Sequence, residues 1–66
     1  MIINLNNKKE ELPDNSTVGE LLKLKNIKTR KIAIWVNGNQ LLMKEYEDYV
    51  LNEEDKVKTL NIVGGG

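Results

Sequence analysis

The sequence predicts a two-layer α+β domain over residues 1–63, a mixed sheet of four to five strands packed on one helix, followed by a flexible glycine tail at residues 64–66. Three observations predict it. Apolar residues alternate with other residues at both ends of the chain, at Met1, Ile3 and Leu5 and again at Leu60 and Ile62, which is the period of a strand. Between them, Thr17 to Asn26 carries an apolar stripe at helical spacing behind a cap. The chain ends Gly64-Gly65-Gly66, with no side chain to pack.

The first strand runs over Met1–Leu5, and Asn6-Asn7, a pair that tolerates positive φ, turns it back as a hairpin. Lys8 to Leu12 returns as a mostly polar strand that stops at Pro13, which has no N–H for a ladder. Thr17 and Glu20 have capping-box spacing, so a helix starts there. Its stripe is Val18, Leu21, Leu22 and Leu24 or Lys25, extended by Ile27, and it ends near Lys25-Asn26 with lysines in the last turn. Ile32, Ile34 and Val36 form the helix-facing side of a central strand, and Ala33 and Trp35 its opposite side. Asn37-Gly38 is a strong hairpin signal, and Gln40 to Met43 returns as a short strand. Lys44 to Tyr49 lacks a clear period and suits a short helical turn, with Tyr46, Tyr49, Val50 and Leu51 tucked under the sheet edge. Asn52 to Asp55 reads as a polar loop, and Lys56 to Val63 as the last strand. Val57 is out of phase with Leu60 and Ile62, which predicts a bulge or a late strand start. The first and last strands, the most apolar at the chain's ends, are expected to pair in the middle of the sheet.

At 66 residues this is one domain. A chain of this size buries only about 60% of its unfolded surface. It has no cysteine, hence no disulfide and no thiolate zinc site, which fits a reducing cytoplasm. It has no histidine, so no side chain has an unperturbed pKa near neutrality. The usual general base, the usual neutral metal ligand and the usual nucleophile–base pairs are all missing. Catalysis by this chain's own side chains is therefore not expected, nor is a metal site. Glu53-Glu54-Asp55 lacks the spacing and glycine of a calcium loop and reads as a solvated turn. Ten basic and ten acidic residues cancel, which argues against nucleic acid as a partner. Residues 1–31 hold seven basic against four acidic side chains, and residues 32–66 three against six. That excess near residues 45–55 is either an ordinary solvated surface or an acidic patch that steers a basic partner. No apolar run reaches the roughly 18 residues of a membrane span, and the N-terminus lacks the pattern of a signal peptide. A soluble, cytoplasmic protein is expected.

The tail Ile62-Val63-Gly64-Gly65-Gly66 follows a strand expected to be central, and no charged side chain comes after Lys58. Lacking Cβ atoms, its glycines allow close approach and unusual φ values in a narrow channel. Its terminal carboxylate, with a reference pKa of about 3.3–3.7, is ionised at neutral pH and can attack a phosphorus atom. The acyl carbon so activated at Gly66 is unhindered. Terminal glycines also serve as linkers or plain chain ends, and from the residues alone both readings stand.

The chain resembles the ThiS family of sulfur carriers in thiamine thiazole biosynthesis. The likeness runs through Thr17-Val18-Gly19-Glu20-Leu21-Leu22, Ile32-Ala33-Ile34-Trp35-Val36-Asn37-Gly38, the Tyr46–Leu51 segment, Glu54-Asp55-Lys56-Val57 and Val63-Gly64-Gly65-Gly66. The chain departs from the family at Met43-Lys44, where Pro-Arg is frequent, and at Glu53-Glu54-Asp55, where an Asp-Gly-Asp turn is frequent. The resemblance implies a ubiquitin-like β-grasp fold and a carrier that is a substrate rather than an enzyme. It implies adenylation of Gly66 by an E1-like, ThiF-like enzyme, conversion to a thiocarboxylate with sulfur from a persulfide donor, and delivery to a ThiG-like thiazole synthase. ATP and the sulfur donor are then used by the partners, and the carrier itself holds no cofactor. Gly65 and Gly66 carry over as the functional pair, with Gly64 beside them. Ala33 and Trp35, together with Leu60 and Ile62 of the last strand, are candidate interface residues; a tryptophan on an open sheet either anchors a partner or covers neighbouring lysine stems. Tyr46 and Tyr49 are expected to pack in the core or at its edge. Two other readings are a MoaD-like small subunit of molybdopterin synthase, with the same tail chemistry, and a non-conjugated β-grasp binding module whose glycines are incidental.

Overall fold

The computed structural model describes residues 1–27 and 32–61. In order along the chain come β1 (Ile2–Leu5), β2 (Lys8–Glu11), α1 (Val18–Leu24), β3 (Ile32–Val36), β4 (Asn39–Gln40), a 3₁₀ turn (Met43–Glu45) and β5 (Lys56–Asn61). The sheet order is β2-β1-β5-β3-β4, so the first and last strands do meet in the centre. β1 and β5 run parallel and all other neighbours antiparallel, which makes the sheet mixed.

Asparagine supplies most of the backbone turns. Asn6 and Asn7 take φ of 51° and 70°, the left-handed pair that matches a two-residue hairpin to the strand twist. Asn26 (φ 57°) ends the helix: its N–H donates to the Lys23 carbonyl and the Ile27 N–H to the Leu22 carbonyl, at 3.1 and 2.8 Å. That is a Schellman closure with asparagine in the position glycine usually takes, and it turns Ile27 back against the core.

The helix start is locked twice. The Thr17 hydroxyl accepts from the Glu20 N–H at 3.1 Å while the Glu20 carboxylate accepts from the Thr17 N–H at 3.0 Å. Two N–H groups of the first turn that have no partner within the helix, on the buried Val18 and Gly19, donate to the Tyr49 and Tyr46 carbonyls at 2.9 and 2.7 Å. So close an approach needs the glycine, since a Cβ at residue 19 would lie 3.2 Å from the Glu47 Cα. The helical face Val18, Leu21 and Leu22 then meets Ile3, Leu5, Ile32, Ile34, Val36, Val57, Tyr46 and Leu51 in one core.

The structure departs from sequence expectation at five places. Leu24, read with Lys25 as part of the helical stripe, is 62% exposed, because the helix closes at Asn26 and the core contact passes from Leu22 to Ile27. The return strand after Gly38 is Asn39–Gln40 alone, because after Leu41 is buried at the sheet edge the backbone turns at Leu42 into the 3₁₀ turn. β5 carries no bulge: residues 57–61 pair one-to-one with residues 32–36, so Val57 and Thr59 take the core side and Leu60 the outer side. The phase conflict is resolved by exposing a leucine. Val50 is exposed, although Tyr46 and Leu51 are buried as expected. Asp55, expected in a solvated turn, is buried and accepts from Asn37 Nδ2 at 3.0 Å and from the Asn52 N–H at 2.8 Å. Asn37 Oδ1 in turn accepts from the Lys56 N–H, so this pair fixes the start of β5.

Replacing Gly19 with valine forces the helix start off the 46–49 segment and is expected to lower stability by about 1–3 kcal/mol. Thr17→Ala, which removes only the cap, costs about 1 kcal/mol; urea midpoints at unchanged m-value check both. A third expectation concerns Tyr46, whose hydroxyl donates to the Ile32 carbonyl at 3.3 Å. Burial raises its pKa above 10.0, partly offset by the backbone of Ile34. Below pH 10.0 the phenol is neutral in both folded and unfolded chains; above it the unfolded chain loses its proton first, so stability falls as pH rises. Tyr46→Phe is expected to flatten that alkaline decline in a pH series of denaturation midpoints.

Candidate functional site

The expected site residues fall at two places in the fold: the root of the C-terminal tail and the sheet face that the helix leaves bare. Gly64, Gly65 and Gly66, the expected reactive tail, and Ile62, an expected interface residue, lie outside the described residues. The strand from which they continue is well defined. β5 is flanked by β1 on one side and β3 on the other, and its last described residue, Asn61, pairs with Ile32.

The parallel ladder of β1 with β5 is short, joining Asn4 and Leu5 to Lys56 and Val57. The Asn6 N–H still reaches the Val57 carbonyl at 2.9 Å, but there β1 turns away. The Asn6 side chain continues the ladder in place of backbone, its Oδ1 accepting from the Thr59 N–H at 2.9 Å and its Nδ2 donating to Thr59 Oγ1 at 2.8 Å. On the far side, the Ile32 carbonyl takes the buried Tyr46 hydroxyl. The tail root is therefore held from both flanks, up to two residues before the strand ends on one side and to Asn61 itself on the other.

The helix covers one side of the sheet only. By strand alternation and register, the outer side carries Ile2 and Asn4 of β1, Lys9 and Glu11 of β2, Lys56, Lys58 and Leu60 of β5, Ala33 and Trp35 of β3, and Gln40 of β4. Asn4, Asn6, Trp35, Lys56, Lys58 and Leu60 line a shallow depression on it. Among the expected interface residues, Leu60 is 55% exposed and Trp35 half-buried, while Ala33 is buried between its neighbours. Trp35 stands between Lys58 of β5 and Gln40 of β4 in the register.

Two features of this face went unread in the sequence. One is Leu42: the Leu41 N–H donates to the Ile34 carbonyl at 2.8 Å, which puts Leu42, extended at φ −80° and ψ 148°, at the next register position beside Ala33, 58% exposed. The alternation Gln40 out, Leu41 in, Leu42 out was there to be read. The other is Asn6, whose ladder role no local pattern shows. The acidic excess near residues 45–55 is thinner than its charge count. Glu45 and Glu53 accept from the Leu42 and Ile2 N–H groups, both at 2.8 Å, and Asp55 is buried. Among the described residues no cluster of His, Cys, Asp or Glu has the arrangement of a metal site, and no helix is long and apolar enough to cross a membrane.

A family model described as the ThiS family matches residues 2–66. Among solved structures, the chain is similar to the crystal structure of a thiamine biosynthesis protein (ThiS) from Geobacter metallireducens, with a TM-score of 0.84 and 26% identity over 100% of both chains. It is also similar to the NMR solution structure of a thiamine biosynthesis protein from the same organism, with a TM-score of 0.79 and 23% identity over 100% of this chain and 88% of that one. No curated protein sequence matches.

The assignment of sides in β5 is checked by a pair of truncations. Val57→Ala empties core volume and is expected to cost about 2 kcal/mol, whereas Leu60→Ala stays within about 0.5 kcal/mol. Equal losses in denaturant titrations would mean that Leu60 is not on the open face.

Proposed function

The chain belongs to the ThiS family, and from that premise we propose that it is a sulfur carrier of thiamine biosynthesis whose reactive group is the terminal carboxylate of Gly66. The observation that carries the reading is the reach of the family match, which spans residues 2–66 and so includes all three terminal glycines. The fold supports it by setting the tail directly after a strand held on both flanks. The composition supports it too, because with no cysteine and no histidine the chain has no thiol nucleophile and no neutral-range base to activate a hydroxyl.

The chemistry runs in partner enzymes, and the carrier is their substrate. A carboxylate oxygen of Gly66 attacks the α-phosphorus of ATP held by an E1-like, ThiF-like enzyme; pyrophosphate leaves and an acyl-adenylate forms. The terminal sulfur of a persulfide donor attacks the acyl carbon and displaces AMP. A thiol then attacks the second sulfur of that acyl disulfide, forming a disulfide and releasing the thiocarboxylate. A ThiG-like thiazole synthase receives the sulfur. Gly64 and Gly65 contribute by what they lack, since a channel wide enough only for backbone admits them and rejects larger residues. ATP and the persulfide belong to the partners, and the carrier domain supplies position.

Incubating the protein with the adenylating enzyme, ATP and a persulfide donor is expected to raise its intact mass by the difference between one sulfur and one oxygen. Deleting Gly66, or adding one residue after it, is expected to abolish that gain while leaving the thermal melt unchanged. A normal mass gain in the extended protein would remove the terminal carboxylate from the mechanism.

A further inference from the structure

Asn37 is the one asparagine of the sequence that precedes a glycine. An asparagine amide is open to attack by the backbone nitrogen of the next residue, and glycine, with no side chain, hinders that attack least. The dipeptide forms the two-residue loop between β3 and β4, where Asn37 and Gly38 take φ of 52° and 85°. Both residues are exposed, and no atom lies within 4 Å of where a Cβ on Gly38 would stand, so water and base reach the turn freely.

The side chain of Asn37, by contrast, is held at both of its polar atoms. Its Nδ2 donates to Asp55 Oδ1 at 3.0 Å, and its Oδ1 accepts from the Lys56 N–H at 2.9 Å. The Asn37 N–H donates to the Lys56 carbonyl at 2.8 Å, so the residue grips Lys56 by backbone and side chain together. Asp55 is itself buried, and its other oxygen accepts from the Asn52 N–H at 2.8 Å, which anchors the clamp from behind. With both amide atoms engaged, Cγ cannot swing over the Gly38 nitrogen until the clamp opens locally.

We propose that Asn37 is a deamidation site gated by its clamp to Asp55 and Lys56, and that its modification unlocks the start of β5. The Gly38 nitrogen, after giving its proton to hydroxide, bonds to Asn37 Cγ. The Cγ–Nδ2 bond breaks, ammonia leaves with a proton taken from water, and a cyclic imide remains. Water then opens the ring at either carbonyl, giving aspartate or isoaspartate. Neither product fits the clamp. Aspartate sets a carboxylate oxygen where Nδ2 stood, 3.0 Å from Asp55 Oδ1, and so replaces a charge-assisted hydrogen bond with like-charge repulsion. Isoaspartate adds a carbon to the main chain of a loop bounded by the Val36–Asn39 pair, which the hairpin register does not accommodate. The modification requires no partner and is independent of the chemistry at Gly66.

The test ages the full chain at mildly alkaline pH, in buffer and in urea above its unfolding midpoint, and follows intact mass and peptide maps. In urea the peptide holding Asn37 is expected to exchange its amide for a carboxyl before any other asparagine does. In buffer the same exchange is expected to run roughly tenfold slower or more, since two hydrogen bonds must open first. Asp55→Asn keeps the size of the side chain but turns an amide NH₂ toward one of its two donors, and is expected to return much of the lost rate. Thr17→Ala, which weakens the helix cap and leaves the clamp intact, is the control for destabilisation alone and is expected to age like the wild type. Asn37→Asp, the aspartate product made directly, is expected to unfold at lower urea than the wild type. First exchange at another asparagine overturns the site. Equal rates in buffer and urea, or an Asp55→Asn protein that ages no faster than Thr17→Ala, overturn the gate. A wild-type midpoint for Asn37→Asp overturns the effect on β5.

Discussion

The pairing of the chain's last strand into the middle of the sheet is the constraint on which the rest depends. β5 has β1 on one side and β3 on the other, so its backbone donors and acceptors are satisfied only when both ends of the sequence have come together. The parallel contact with β1 is short, and side chains complete it: Asn6 serves Thr59 as a strand would, and the Asn37–Asp55 pair fixes the first residue of β5. A tail attached to an edge strand would fray with it. Attached here, it begins from a point fixed by hydrogen bonds on two flanks.

A short helix of seven residues has little stability of its own, and tertiary contacts supply what its length does not. The capping box satisfies part of its first turn, and the Tyr46 and Tyr49 carbonyls take the N–H groups of Gly19 and Val18. Glycine at residue 19 is what lets the 46–49 segment come close enough. Because one helix covers one face, the opposite face is left open. At the edges, the charged strand Lys8–Glu11 and the two-residue strand Asn39–Gln40 present little to an adding strand.

The division of labour follows from composition. A side-chain catalyst needs an interior that shifts pKa values, and this small core has no cysteine or histidine to shift. In the proposed function the reactive group is the chain terminus, and the described strand before it, β5, is paired on both sides.

Much of this was legible in local sequence. The capping box at Thr17 and Glu20, the Asn6-Asn7 and Asn37-Gly38 turns, the alternation of Ile32, Ile34 and Val36, and the glycine terminus each depend on neighbours within a few residues. Those signals determined the order of elements, the two-layer class and the family resemblance. What only the tertiary structure decided are choices made between distant segments. Leu60 faces outward because register with β3 dictates its side, and a strand's own alternation cannot say which phase is buried when Val57 and Leu60 disagree. Asp55 is buried because Asn37, eighteen residues away, offers it a donor. Asn6 extends a ladder to a residue fifty-three positions off. Periodicity reports which residues share a face; hydrogen bonds across the sheet determine which face that is.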